Sequence, residues 1–195
     1  LSLELTFNLL IIEGVEVAMA KNIYGGGSQT NANGLKFEQE TDLKEALLSI
    51  EGYSLKENNL YFKEELVGII ASKNDLYKVL LEPYGINHKD ILSKQLLPDE
   101  AIYFIKTKTV YIIEKKFQNV AGSVDEKLQT CGFKKRQYRK LFSPLGIKVE
   151  YLYVLNNWFK HHKYRDVLEF IEDNDCHYFF NEIPLDFIGL SHTQF

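Results

Sequence analysis

The stretch that decides the fold is residues 97–116, LPDEAIYFIKTKTVYIIEKK. It holds a Pro98-Asp99 step, an apolar run, a polar turn, a second apolar run and then Glu114-Lys115-Lys116. The two runs predict strands over 99–105 and 109–117, joined as a hairpin. Side chains alternate across a strand, so Glu114 and Lys116 project from one side while Ile113 and Lys115 point to the other. Antiparallel pairing brings Asp99 to the same sheet edge as Glu114, where two carboxylates and one ammonium converge. Two such carboxylates attract a hard divalent cation, and the lysine beside them can stabilise charge or position a water.

An acid-x-Lys triplet is common, and this chain has two others, Asp42-Leu43-Lys44 and Asp125-Glu126-Lys127. The first lies on a predicted helix, where residues two apart do not share a face, and the second follows a loop. Only Glu114-x-Lys116 ends an apolar strand, and only there does a Pro-Asp step open the preceding one. The plain alternative is a solvated strand end in which Glu114 and Lys116 pair across to Lys106 or Lys108.

Working outward, the N-terminal side begins at Leu1, and the sole methionine is Met19. The expectation here is that residues 1–18 extend from a misassigned start, which intact-mass analysis of the native protein decides. Gly25-Gly26-Gly27 and the polar residues to Gly34 read as a flexible arm, so residues 1–34 are set apart from a single domain over 35–195. Leu35, Leu43, Ala46, Leu47 and Ile50 recur at helical spacing and predict a helix with Asn33 as candidate cap. Asn59–Ala71 predicts a hairpin turning at residues 63–65, Lys73–Leu81 a short helix, and Asn87 the cap of another through Leu92.

Beyond the central hairpin, helices are predicted over 125–130 and 133–142, a core strand over 147–155, a helix over 164–172 and a last strand over 178–183. The order β-β-α-β-α-β gives an α/β fold, an α/β/α sandwich around a central mixed β-sheet.

Net charge is -4 with 45% hydrophobic residues, an ordinary folded composition. The charge is unevenly spread. Lys106–Lys140 carries ten basic and three acidic residues, +7, leaving -11 elsewhere. A basic face on an acidic body is the footprint of a phosphate-binding surface. Cys131 and Cys176 form no CxxC or Cys/His cluster and read as reduced thiols in a cytoplasmic setting. No apolar run approaches membrane-spanning length, so no membrane partner is expected.

Pro98-Asp99, the hairpin and Glu114-Lys115-Lys116 resemble the PD-(D/E)xK nuclease signature. EKKFQNVAGSVDEKLQT continuing into KKRQYRKLF, and later VEYLYVLNNWF and YFFNEIPLDFIGL, resemble bacterial type II restriction endonucleases of that superfamily, over roughly residues 30–190. The resemblance implies a restriction-endonuclease-like fold, Mg²⁺ held by Asp99 and Glu114, and Lys116 assisting the attacking water or the leaving phosphate. It further implies that Glu38, on the N-terminal helix, serves as an auxiliary ligand, with Glu40 its rival and an exposed helix glutamate the plain alternative. The chemistry is coherent: phosphodiester cleavage needs a nucleophile at neutral pH and neutralisation of a pentacovalent dianion. Main-chain carbonyls also serve as metal ligands, and Lys115 could lend one.

Lys134, Lys135, Arg136, Arg139 and Lys140 form basic stripes on the predicted helix and are expected to contact DNA, with Lys127 and Gln129 as further contacts. His161-His162-Lys163 has no further metal ligands in the sequence and reads as an exposed loop. The expected activity is Mg²⁺-dependent cleavage of double-stranded DNA at a specific sequence within a restriction system, beside a DNA methyltransferase that protects the host. A junction resolvase or repair nicking enzyme and a non-catalytic DNA-binding module are the alternatives. A homodimer stays open.

Overall fold

A computed structural model describes residues 34–37, 41–120 and 124–190. The arm through residue 33, the candidate cap Asn33, and both Glu38 and Glu40 lie outside the described residues. In chain order the elements are β1 (Gly34–Lys36), α1 (Leu43–Leu48), β2 (Tyr53–Lys56), β3 (Asn59–Phe62), β4 (Glu65–Ala71), α2 (Asp75–Leu80), β5 (Glu100–Phe104), β6 (Thr109–Lys116), α3 (Val124–Leu128), α4 (Cys131–Phe142), β7 (Lys148–Leu155), α5 (Arg165–Asp173), β8 (His177–Phe180) and β9 (Glu182–Pro184).

The chain is mixed α/β. A seven-stranded sheet runs β2-β3-β4-β5-β6-β7-β8, and β1 pairs with β9 in a separate two-stranded ribbon. β2 to β6 form an antiparallel meander, whereas β6, β7 and β8 are parallel. Parallel neighbours cannot be joined by a tight turn, so α3 and α4 fill the crossover from β6 to β7 and α5 fills the next.

Strand alternation sorts the core into two layers. Val110 and Ile112 of β6, Ala101 of β5 and Val149, Tyr151, Tyr153 and Leu155 of β7 face α2, α4 and α5. Tyr111, Ile113, Ile102, Phe104, Leu152 and Val154 face the opposite way, onto α1, the β1–β9 ribbon and residues 185–190. One face therefore carries a helical layer, and the other is covered by one short helix, a ribbon and a C-terminal segment. With both faces covered, β6 and β7 read as continuous apolar runs.

The helix expected over 35–50 is corrected: among its described residues only 43–48 are helical, and Asp42 caps them, its side chain accepting from Glu45 N. Leu35 belongs to β1 because residues 34–36 pair with Pro184, Ile183 and Glu182, a contact across the whole chain. Gly34 accordingly opens a strand and does not close an arm. The single strand expected over 178–183 splits into β8 and β9 because Asn181 takes a positive φ of 59° and its N–H bonds to Leu155 O. β2 was not foreseen. Among the described residues, no helix is long and apolar enough to cross a membrane.

Candidate functional site

Asp99 sits immediately before β5, and the chain is pinned there from both sides. Tyr77 Oη of α2 donates to Leu96 O and accepts from Leu96 N, and Lys73 N donates to Pro98 O. The β5–β6 register pairs Glu100 with Ile113, which leaves Asp99 beside Glu114. Lys115 N donates to Asp99 Oδ2 at 2.9 Å and fixes the carboxylate against β6.

At this sheet end three oxygens close on one ammonium. Lys116 Nζ lies 3.1 Å from Asp99 Oδ2, 2.9 Å from Glu114 Oε2 and 3.0 Å from Lys115 O. The structure thus brings Asp99, Glu114 and Lys116 together and adds the carbonyl of Lys115. Glu114 is buried, while Asp99 keeps a side chain 39% exposed and opens the cluster to solvent. Burial works against the Lys116 charge, but Glu114 and Asp99 outweigh it and hold Lys116 above the ordinary lysine range. In this arrangement Lys116 is a cation and a hydrogen-bond donor to all three oxygens.

A second lysine joins from the helical layer. Lys134, on the first turn of α4, places Nζ 3.1 Å from Glu114 Oε1, so that Glu114 lies between two ammonium groups. Gly132 lets the start of α4 lie against the C-terminal end of α5, where a Cβ would meet Asn174 Oδ1 at 2.4 Å. Beneath Glu114 lie Tyr138, Tyr151 and Tyr153. Each phenol is pushed up first by burial, and the Glu114 charge adds to the effect in all three. These tyrosines escaped sequence reasoning, although Tyr151 and Tyr153 alternate inward on a predicted strand and Tyr153 stands opposite Glu114 in the register.

The basic helix is largely committed to internal contacts. Lys135 is corrected: it is 2% exposed, with Nζ 3.2 Å from both Glu150 Oε2 and Asp175 Oδ2, and it donates to Asp175 O as well. The cause is helical spacing, since Lys135 shares the buried stripe of Cys131, Tyr138 and Phe142. Arg139 donates to Asp175 Oδ2 at 2.8 Å while remaining partly exposed. Arg136, Lys140, Lys127 and Gln129 are exposed, with Lys127 O accepting from Tyr153 Oη. Cys131 and Cys176, 45 residues apart in sequence, are both free thiols buried in the same core cluster, with Cys176 Sγ donating to Asn174 O at 3.5 Å.

Across the sheet, one residue along from the oxygen cluster, Lys115 Nζ donates to Thr41 O at 2.9 Å and lies 3.5 Å from Glu100 Oε1. Glu100 Oε1 also accepts from Leu43 N at 2.8 Å, while Oε2 is buried with no partner among the described residues. Burial pushes the Glu100 carboxyl up, with Leu43 N–H and Lys115 opposing.

Among the described residues no three or more His, Cys, Asp or Glu come together as metal ligands. The oxygen set at Lys116 is of another kind, two carboxylates and a carbonyl, all hard donors already arranged around a positive charge. That set fits Mg²⁺, which takes few protein ligands and keeps waters. No family model matches this chain, and no match is found among curated proteins or solved structures.

Proposed function

We propose that this chain is a Mg²⁺-dependent endodeoxyribonuclease of the type II restriction kind, with Asp99, Glu114 and Lys116 as its catalytic residues. One observation carries the reading: Asp99 Oδ2, Glu114 Oε2 and the Lys115 carbonyl converge on one position, taken here by the Lys116 ammonium, at an open sheet end. The strand pair that delivers them is the one whose sequence resembles the PD-(D/E)xK signature.

The residues divide the work. Asp99 and Glu114 would hold the metal through carboxylate oxygens, with Lys115 O completing the protein's share. When bound there, Mg²⁺ supplies a water of lowered pKa and neutralises charge on the phosphate. Lys116, moved off those oxygens by the metal, would present a point charge to the pentacovalent phosphate. Lys134 holds Glu114 from the far side and keeps its carboxylate aimed at the cluster. The tyrosine wall excludes water beneath Glu114 and strengthens its field on what lies above.

The test is digestion of a plasmid of known sequence with Mg²⁺, followed by end mapping. Discrete fragments with a common end sequence are expected, and Asp99→Ala, Glu114→Ala and Lys116→Ala should each remove cleavage while thermal melting stays intact. Full activity in any one of the three refutes the site. Smeared ends, or preference for branched DNA, move the reading to a structure-specific nuclease.

A further inference from the structure

The charge that sequence reading assigned to α4 has an open counterpart elsewhere. Residues 156–165, NNWFKHHKYR, link β7 to α5 and contain Lys160, His161, His162, Lys163 and Arg165 with no Asp or Glu. β6 and β7 are parallel, with Lys116 opposite Leu155, so this connection leaves the sheet at the end where the carboxylates converge. Asn156 ties it there: Nδ2 donates to Gln118 O at 2.8 Å, and Gln118 N donates to Oδ1 at 3.3 Å.

Two 3-10 turns, Asn157–Lys160 and His162–Tyr164, give the connection a fixed shape. Phe159 and Tyr164 are buried with ring centroids 4.9 Å apart, and Trp158 Nε1 donates to Tyr164 Oη at 2.6 Å. His161 Nδ1 accepts from Lys163 N, so the neutral ring carries its proton on Nε2 and presents a donor outward. Lys160, His161, His162 and Lys163 are all exposed. Lys163 Nζ lies 4.7 Å from the Tyr164 ring centroid and Lys160 Nζ 5.1 Å from that of Phe180. Neither lysine is in an ion pair among the described residues, whereas Arg165 bonds to Asp166. Aromatic rings orient these ammonium groups without cancelling their charge.

We propose that this connection is a surface for the backbone of duplex DNA, in which Lys160 and Lys163 contact phosphates that flank the one held at the carboxylate cluster. The proposal rests on the reading of that cluster as a DNA-cleaving site and names the surface that grips its substrate. Phosphate contacts position the duplex without reading its bases, and each contributes to the salt dependence of binding.

Binding of the full chain to a fluorescein-labelled 30-base-pair duplex, by fluorescence anisotropy in EDTA over a KCl series, tests it. Lys160→Gln/Lys163→Gln should make the log–log salt slope shallower by about 2 and weaken binding by about 10-fold at low salt. Lys148→Gln, at the opposite end of β7, should leave the slope unchanged. Thermal melting of each variant checks the fold, and Lys160→Ala/Lys163→Ala repeats the measurement with a second pair. An unchanged slope in the folded pair, an equal loss in Lys148→Gln, or no duplex binding by the wild-type chain overturns the proposal. Plasmid cleavage by the wild-type chain is measured alongside. Cleavage with an unchanged slope removes the surface alone; a lost slope without wild-type cleavage leaves the surface and removes the nuclease reading.

Discussion

Residues 99 and 100 are both acids and residues 115 and 116 are both lysines, yet the two acid–lysine pairs form unlike sites on opposite sides of one strand pair. Asp99, Glu114 and Lys116 meet beside α4, partly open to solvent, with three oxygens around one cation. Glu100 and Lys115 meet beneath α1, where Glu100 keeps a side chain only 9% exposed and Lys115 is spent on Thr41 O. The pleat decides which side each residue takes, and the covering element decides whether the site is open. The same split recurs on α4, where Lys134 reaches Glu114 and its neighbour Lys135 is buried against Glu150 and Asp175.

The largest contrast is expected in cleavage. Lys116→Ala should lower it by on the order of 10³-fold or more, and Lys115→Ala by less than about 10-fold once the folded fraction is equalised. Equal losses, measured on plasmid substrate, would mean that the two lysines do not divide as the two faces of the sheet require.

Stability should divide the other way. Lys115→Met leaves Glu100 a buried carboxylate without its cation and should cost about 3 kcal/mol in urea unfolding. The folded carboxyl is held above its unfolded value, so the deficit should shrink as pH falls and Glu100 protonates. A Lys115→Met chain as stable as the wild type at pH 8 would show that the Glu100–Lys115 pair does not hold this end of the sheet.

A similar size is expected at Glu150. Burial opposes its charge, but His177, Lys148 and Lys135 prevail and hold the carboxyl at about 2. A depressed folded pKa contributes stability above the unfolded value and loses it as pH falls. Roughly 3 kcal/mol should therefore disappear between about pH 4.5 and pH 2. Glu150→Gln should flatten that stretch of the acid-unfolding curve, and an unaltered curve would remove Glu150 from the account. The smallest effect belongs to Lys134→Ala: about a 10-fold loss of cleavage with the melting temperature unchanged. A drop in melting temperature without loss of activity would class Lys134 with Lys135.

Much of this was legible because strand alternation is local. The period of two assigned Glu114 and Lys116 to one side and Lys115 to the other, and the hairpin over 99–117 followed from two apolar runs and a polar turn. The period of 3.6 was equally available for α4. Applied to Cys131, Lys135, Tyr138 and Phe142, it places Lys135 on the buried stripe, but the charge run drew attention to the cations and away from the apolar residues between them. Leu35 was misread because helical spacing linked it to Leu43, while its true neighbour is Ile183. The connection after β7 was rightly expected to be exposed, but its four basic or imidazole side chains have no further meaning until the end of the sheet they share is known.

The sequence by itself determined the strand pair, the side from which each acid and lysine projects, and the candidate trio Asp99, Glu114 and Lys116, because these follow from backbone periodicity over short spans. Only the tertiary structure decided that the Lys115 carbonyl would meet Lys116 Nζ while the Lys115 side chain was sealed under α1, that Lys134 would reach Glu114, and that residues 156–165 would leave the sheet at the same end. Those outcomes depend on β6–β7 register and helix packing between segments tens of residues apart. Such contacts are selected by the burial of the whole apolar surface at once, which no local pattern records.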